Sequence, residues 1–371
     1  MNKRTSGFDF TLMILVIIAA ICGVIIIGSA TKVNINGLSS NFSSQIIWLI
    51  TGIFLMLVFA FWNYHNLTKF YIVIYILNIT LLVLVLIIGY GDDNVKRWLF
   101  GLQPSEFAKI FMIIYLSKII DKYNDKINSL YMLLIIIGTT LLVFALINMQ
   151  PSLSASLVII AILITELFIG NISSKYIKII LLILIPIIVI IYIDIISQEH
   201  RILSLFIQPY QIKRIMTFIS GDLSSPDMYQ TKNSIWAIGS GKLHGKGLFN
   251  GTVNQLSYLP ESHNDFIFSV IGEEFGFLGC LGNLLTLFLI ISRCINIAIR
   301  AEDRLGTLLA GGVAGMLTFQ TFINVGVVTG LLPNTGMPLP FFSYGGSSMW
   351  ANMIGIGIVL NISMKKQKSI Y

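Results

Sequence analysis

Charge is what this chain has least of. Asp, Glu, Lys and Arg make up 11% of its 371 residues, where a soluble globular chain carries roughly 25%. So little charge cannot clothe a water-facing surface, which excludes an ordinary soluble domain. The deficit is not that of a disordered chain either, because Pro numbers only 9 and aromatics reach 12%. Cysteine is nearly absent. Cys22, Cys280 and Cys294 all fall inside apolar runs or at their ends, which leaves no disulfide framework and no cysteine-built metal site. There is no HExxH, no GxSxG and no Cys/His cluster. Gly-Lys-Leu-His-Gly-Lys-Gly (241–247) resembles a P-loop only superficially: its Gly spacing is wrong and no Ser or Thr follows Lys246. Nothing points to a nucleic acid partner.

What the chain has in excess is apolar sequence, 56% of it, in runs of about twenty residues, the length that crosses roughly 30 Å of hydrocarbon. With no water to satisfy the backbone there, each run must close its own hydrogen bonds as a helix. The reading is an all-α polytopic membrane protein with ten transmembrane helices. The spans are placed at 10–30, 46–62, 69–90, 105–120, 130–148, 153–170, 176–196, 265–292, 306–331 and 345–363. A long external loop, 197–264, separates spans seven and eight, and residues 1–371 form a single membrane domain. The first run is too long for a signal core and lacks a small-x-small cleavage site, so it reads as a retained span. Pro186 should kink span seven.

Orientation follows from Lys and Arg in the short loops. With the N-terminus inside, 14 of the 24 basic residues fall in inner segments, and the short outer loops hold only Lys32, Lys96 and Arg97. Both ends are therefore expected in the cytoplasm. In the long loop, 200–219 mixes Ile212, Ile215 and Phe218 with Lys213 and Arg214 and reads as an amphipathic interfacial helix. The Gly-rich part that follows (Gly239, Gly241, Gly245, Gly247, Gly251) reads as turns rather than helix.

Ionisable residues in or beside apolar spans are costly and mark candidate sites. Glu106 and Lys109 share a helix face at the outer end of span four, either as an ion pair between helices or as the wall of a polar cavity. Glu166 reads as an interior polar contact and Asp194 as an interface residue. Asp265 opens span eight, as an N-cap or dipole partner or as a functional carboxylate. Glu273 and Glu274 lie about 12–14 Å deeper at 1.5 Å per residue, so at least one of them must meet a cavity or a basic partner. The last loop, 330–348, carries Pro333, Pro338 and Pro340 and the run Phe-Phe-Ser-Tyr-Gly-Gly-Ser-Ser (341–348). It cannot be helical, and it should fold over the outer end of the bundle.

These motifs together resemble the SEDS family, the group of RodA, FtsW and SpoVE, over nearly the whole chain. The resemblance rests on Arg97-Trp98, Gln-Pro-Ser-Glu-Phe-Ala-Lys (103–109), Lys213-Arg214-Ile215, Ala-Ile-Gly-Ser-Gly (237–241) and Gly-Lys-Gly-Leu-Phe-Asn-Gly-Thr (245–252). It extends through Gln255, Leu-Pro-Glu-Ser-His-Asn-Asp-Phe-Ile-Phe (259–268), Glu-Glu-Phe-Gly (273–276) and Pro-Leu-Pro-Phe-Phe-Ser-Tyr-Gly-Gly-Ser-Ser (338–348). The Gly-Leu-Phe-Asn-Gly-Thr wording is closer to RodA and SpoVE than to FtsW. One departure stands out: Gln-Pro-Ser-Leu-Ser-Ala (150–155) replaces the usual Gln-Pro-Asp-Leu-Gly-Thr, so Ser152 stands for a carboxylate and Ser154 for a glycine.

The resemblance implies peptidoglycan glycosyltransfer, the polymerisation of lipid II into glycan strands at the outer face during elongation, division or sporulation. It implies a class B penicillin-binding transpeptidase as partner, with other proteins of the elongation or division complexes. It maps the family's essential aspartate onto Asp265 as the catalytic residue, the polar cavity onto Glu106 and Lys109, and a basic loop position onto Arg214. Lys246 and Gln255 fall on further substrate-binding positions. A departing diphosphate calls for Lys109, Arg214 and Lys246, or for a divalent cation such as Mg or Mn. The rival readings are a lipid II flippase, whose polarity should sit near the midplane, and an inactive scaffold for a transpeptidase.

Overall fold

The computed structural model describes residues 7–32, 39–91, 96–176, 209–221, 225–256 and 258–365, with the isolated positions 178, 182 and 194. In chain order the helices are α1 (Phe10–Ala30), α2 (Ser40–Phe61), α3 (Tyr64–Lys69), α4 (Tyr71–Ile88), α5 (Pro104–Lys122), α6 (Leu130–Met149) and α7 (Leu153–Ile169). After the long loop begins come α8 (Pro209–Ser220), α9 (Pro226–Ser240), α10 (Thr252–Gln255), α11 (Ile267–Arg300), α12 (Arg304–Val328) and α13 (Gly346–Ser363). Six of them, α1, α2, α4, α6, α11 and α12, are long and apolar enough to cross a membrane, and the protein is a multi-pass membrane protein. Expected span seven, with Pro186, lies outside the described residues except for isolated positions, one of which, Asp194, is buried.

The helices sort by what they bury. α4 encloses only Asn78, Leu82 and Val85 and turns Ile72, Val73, Ile76 and Ile87 outward, as a helix solvated by lipid should. α13 is buried along nearly its whole length between α2, α5 and α12. α5 forms the other half of this core and carries Glu106, Lys109 and Ser117 into it.

Of the two expectations for the long loop, one is seen in its described part and one is revised. The helix expected over 200–219 is seen as Pro209–Ser220, its proposed first half lying outside the described residues. The stretch after it is not all turns: α9 runs from Pro226, a residue suited to a first helical turn, to Ser240. Turns take over only from Gly241, where the glycines cluster.

Span eight differs most from expectation. α11 is longer than the expected 265–292, and it is broken at Gly276, which has φ 66° and ψ −161°. The break frees two amides and two carbonyls, and the loop 242–247 takes them up. Phe277 N–H donates to Lys242 O (2.8 Å) and Leu278 N–H to Leu243 O (3.2 Å), while Glu273 O accepts from Lys246 N–H (3.0 Å) and Glu274 O from Gly247 N–H (2.9 Å). The P-loop-like sequence is thus a backbone patch stitched into a broken helix. Every residue from Ile267 to Glu274 is buried, whereas Phe277, Leu278, Leu281, Leu285, Phe288 and Leu289 are exposed. The lipid-facing part of α11 therefore begins after the break.

The small residues of α12 are spent inside the bundle. A Cβ on Gly311 would meet Ile169 Cδ1 at 2.2 Å, one on Gly312 Glu166 Oε1 at 2.3 Å, and one on Gly315 Thr165 Oγ1 at 2.5 Å. This pattern could be read as a surface for another protein; here it lets α7 and α12 approach each other. At the end of α11 far from Asp265 the loops are tied by one carboxylate. Asp303 accepts from Tyr64 OH at 2.8 Å and from Gly306 N–H at 2.8 Å. His65 Nε2 lies 2.7 Å from its other oxygen, and Lys365 Nζ lies 2.6 Å from His65 Nδ1.

Candidate active site

Asp265 sits in the turn that precedes α11. The helix begins at Ile267 with no side-chain cap, so the capping role open to Asp265 from sequence is not the one it fills. Its position is held by the last loop. Ser343 Oγ donates to Asn264 O (2.7 Å), Tyr344 N–H donates to His263 O (2.9 Å), and the His263 and Tyr344 rings meet edge-on at 5.3 Å. From below, Asn324 on α12 donates to Asp265 O (2.9 Å) and to Met337 O (2.6 Å), joining the two loops through one amide. Gly336 lies against the carboxyl: a Cβ there would stand 3.3 Å from Asp265 Oδ2. The Pro-rich loop does fold over the end of the bundle that carries Asp265, and its prolines and glycine bring it to the carboxylate.

Two guanidinium groups converge on the same place. Arg214, on α8, donates to Asn334 O (3.4 Å). Arg97 donates to Gln150 O (3.3 Å) and to Pro151 O. Both line a crevice of about 20 Å³ with Leu153, Ile215, Pro333, Asn334 and Thr335. Burial pushes the Asp265 carboxyl up to about 7, Glu261 adds to the rise, and Arg214 and Arg97 oppose it. A carboxyl near 7 is divided between its two protonation states at neutral pH, the condition that suits a general base.

The other residues singled out from sequence fall elsewhere. Glu106 and Lys109 form an ion pair at 2.8 Å whose side chains are 6% and 0% exposed, so the pair is an interior feature of α5. Lys246 Nζ bonds Glu273 Oε1 (2.6 Å) and Thr252 Oγ1 (2.6 Å). Glu273 also accepts from Val253 N–H (2.9 Å), so the deep carboxylate does meet a basic partner, and both hold the patch of α11. Gln255 Nε2 donates to Phe249 O (3.3 Å) within the same loop. Glu274 accepts from Ser29 on α1 at 2.5 Å, and Glu166 accepts from Ser117 (2.8 Å) as an interior contact. Sequence reasoning gave no role to Arg97, Asn324 or Asn334. A neutral Asn in an apolar span was the available signal for Asn324, since buried amides must be satisfied. Ser154, at the departure from the family wording, donates to Gly336 O (3.4 Å) and so touches the loop that faces Asp265. Among the described residues no group of three or more His, Cys, Asp or Glu side chains gathers.

A family model for the FtsW, RodA and SpoVE cell cycle proteins matches residues 10–368. A probable peptidoglycan glycosyltransferase FtsW of Trichlorobacter lovleyi is 33% identical over 377 residues, covering 97% of this chain and 94% of that one. Stage V sporulation protein E of Bacillus subtilis is 32% identical over 379 residues, covering 98% of each. These near-equal identities do not single out a subgroup. In fold, the chain is similar to one in a peptidoglycan synthase complex that coordinates polymerization and crosslinking, with a TM-score of 0.79 and 26% identity over 96% of this chain and 98% of that one. It is also similar to the rod shape determining protein RodA of Thermus thermophilus, with a TM-score of 0.68 and 26% identity over 96% and 97%.

Proposed function

The chain belongs to the FtsW, RodA and SpoVE family of cell cycle proteins, and from that premise we infer that it is a peptidoglycan glycosyltransferase that polymerises lipid II with Asp265 as general base. The observation that carries the role of Asp265 is its place: a carboxyl raised to about 7 beside a crevice lined by two guanidinium groups. Asp265 takes the proton of an acceptor sugar hydroxyl as its oxygen attacks the anomeric carbon of lipid-linked donor. The bond from that carbon to the diphosphate breaks, and the diphosphate leaves with the electron pair. A single carboxylate fits direct displacement with inversion. Arg97 and Arg214 receive the negative charge that develops on the leaving group.

The pH dependence tests the base directly. A carboxylate works as a base only when ionised, and an Asp of ordinary pKa stays ionised down to about pH 4. With Asp265 raised to about 7, polymerisation by purified protein should fall as pH drops through about 7 and be nearly lost by about pH 5.5, one and a half units lower. Full rate retained at pH 5.5 would remove Asp265 from the role.

Arg214 separates charge from anchoring. Arg214→Glu reverses the charge at the crevice, where removing one preorganised charge partner typically costs on the order of 10²–10³ in rate. The variant should stay in the membrane at wild-type level and lose polymerisation by at least the lower figure. Unchanged polymerisation would leave the arginine as an anchor of the 334 loop.

The partner we propose is a transpeptidase of the class B penicillin-binding type, which the fold likeness to a chain of a synthase complex supports. We place the site on the outer face of the cytoplasmic membrane with both termini inside, as the Lys and Arg distribution indicates. In a chain freed of its native cysteines, Leu331→Cys should react with an impermeant thiol reagent in intact cells and Arg300→Cys should not. Labelling at 300 from outside would invert the topology.

A further inference from the structure

Where the start of α1 meets the end of α11 far from Asp265 lies a cavity of about 420 Å³ that the reaction does not use. Asp9 and Thr11 from α1 and Arg293, Asn296 and Arg300 from α11 line it. The Asp9 carboxylate is already taken: it accepts from Leu12 N–H (2.9 Å) and pairs with Arg293 at 2.9 Å. The Arg293 side chain is still 41% exposed. Asn296 and Arg300 are exposed, and neither side chain has a hydrogen bond or ion pair among the described residues. Two guanidinium groups against one carboxylate leave a single positive charge in excess. The positive end of α1 and the negative end of α11 both face the cavity and offset each other, so the side chains decide, and they favour an anion.

Position narrows the choice of anion. α1 has 21 residues, about 31 Å at 1.5 Å per residue, which is the thickness of a hydrocarbon core. Its first residue, Phe10, therefore stands where lipid headgroups begin. From the cavity the same helix faces run inward in steps of seven, through Thr11, Ile18 and Ile25 on α1 and Arg293, Thr286 and Gly279 on α11. Ile18, Ile25, Thr286 and Gly279 line a groove of about 400 Å³. Its near end, Ile18, is seven residues or about 10 Å from Thr11. The groove by itself selects no occupant; the charged cavity at its end does.

We propose that this cavity binds the headgroup of an anionic glycerophospholipid of the phosphatidylglycerol type, with Arg300 on the phosphodiester and Asn296 and Thr11 on the glycerol hydroxyls. One acyl chain then runs inward between α1 and α11. A single net negative charge matches the excess of the cavity, where a zwitterionic lipid brings none and an isoprenoid diphosphate brings more than the cavity can offset. On the topology proposed above this is the inner leaflet, though the recognition is the same on either face. The bound lipid ties α1 to α11 at the end where Asp9 and Arg293 already join them.

The test uses the whole chain in nanodiscs of phosphatidylglycerol and phosphatidylcholine in equal parts, with the lipids it retains read by native mass spectrometry. The wild type should keep phosphatidylglycerol over phosphatidylcholine by about fivefold, the preference that one basic residue near a membrane surface gives. Arg300→Gln should keep the two lipids alike. Asn296→Asp, at an exposed side chain with no partner to lose, should also abolish the preference by placing a second carboxylate in the cavity. Lys69→Gln, on α3 at the same end of the bundle and outside the cavity, should keep the wild-type ratio. Equal retention of both lipids by the wild type overturns the proposal, as does a preference that survives in Arg300→Gln or is lost in Lys69→Gln. Undecaprenyl diphosphate added as a third lipid and retained ahead of phosphatidylglycerol makes the cavity an isoprenoid site. Displacement of the lipid by millimolar inorganic phosphate makes it a site for the free anion, and either result ends the proposal.

Discussion

Asp265→Asn is expected to leave a folded, membrane-inserted protein that makes no visible glycan. Asn has the volume of Asp and keeps the backbone carbonyl that Asn324 holds at 2.9 Å, but it cannot accept a proton at neutral pH. A lost general base costs on the order of 10²–10⁴ in rate, enough to erase product in an endpoint assay. Stability should move the other way. The folded-state pKa of Asp265 is raised to about 7, so the native state carries a cost for ionising it. That cost is absent below the unfolded value, grows as pH climbs, and is fully present above about 7. Asn escapes it, so the variant should melt no lower than wild type at pH 8. The measurement is fluorescent lipid II resolved on a gel after incubation with each protein and its transpeptidase, beside a melting curve. Long strands made by the Asn variant at the wild-type rate would end the assignment and make Glu106 the next residue to test. A flippase would show no polymerisation by the wild type either.

The second large effect is structural. Gly276→Ala should destabilise the chain by more than about 4 kcal/mol, a size reserved for a few mechanisms. Two of them coincide here. The backbone at φ 66° and ψ −161° lies in a region that is essentially closed to residues other than Gly. A Cβ would also stand 2.4 Å from Gly245 N and 2.6 Å from Leu243 O, which forces the patch away and strands the groups it satisfies, at about 1–3 kcal/mol for each buried one. Little protein should accumulate, and what does should melt early and be cleaved within 241–247 by added protease. Gly282→Ala, with nothing near its new Cβ, is the matched control and should change stability by no more than about 0.5 kcal/mol. A Gly276→Ala variant that melts with the control would mean that the break is not held by the patch.

The six long apolar helices were legible because a membrane helix is specified by length and apolarity, and a window of composition measures both. The break in α11 was not, since Gly276 is one glycine among many and hydropathy is blind to backbone direction. The one trace it left was the pair Glu273 and Glu274, too deep for a plain span, and Lys246 proved to be the partner that depth required. Gly311, Gly312 and Gly315 show the opposite difficulty: close helix approach is readable from small residues, but the identity of the approaching helix is not. At the site, the roles of Asp265 and Arg214 were both reached through resemblance. Arg97 and Asn324 gain their meaning only when residues 214, 265, 324 and 334 come together, and no local pattern encodes that meeting.

The stitched helix also bears on the order in which the chain can mature. The donors and acceptors that complete α11 lie in residues 242–247, made before it, and Glu274 closes on Ser29, 245 positions earlier. During synthesis Ser29 of α1 must therefore wait for its carboxylate partner until nearly three quarters of the protein has been made. The loop must already lie beside α11 when the turns around Gly276 form, because the freed amides of Phe277 and Leu278 find their acceptors in it. Contacts of such long sequence separation close late and slowly. A ribosome-bound intermediate ending just short of residue 273 should hold α1 loosely, and one extended by a few tens of residues, past the exit tunnel, should hold it fast.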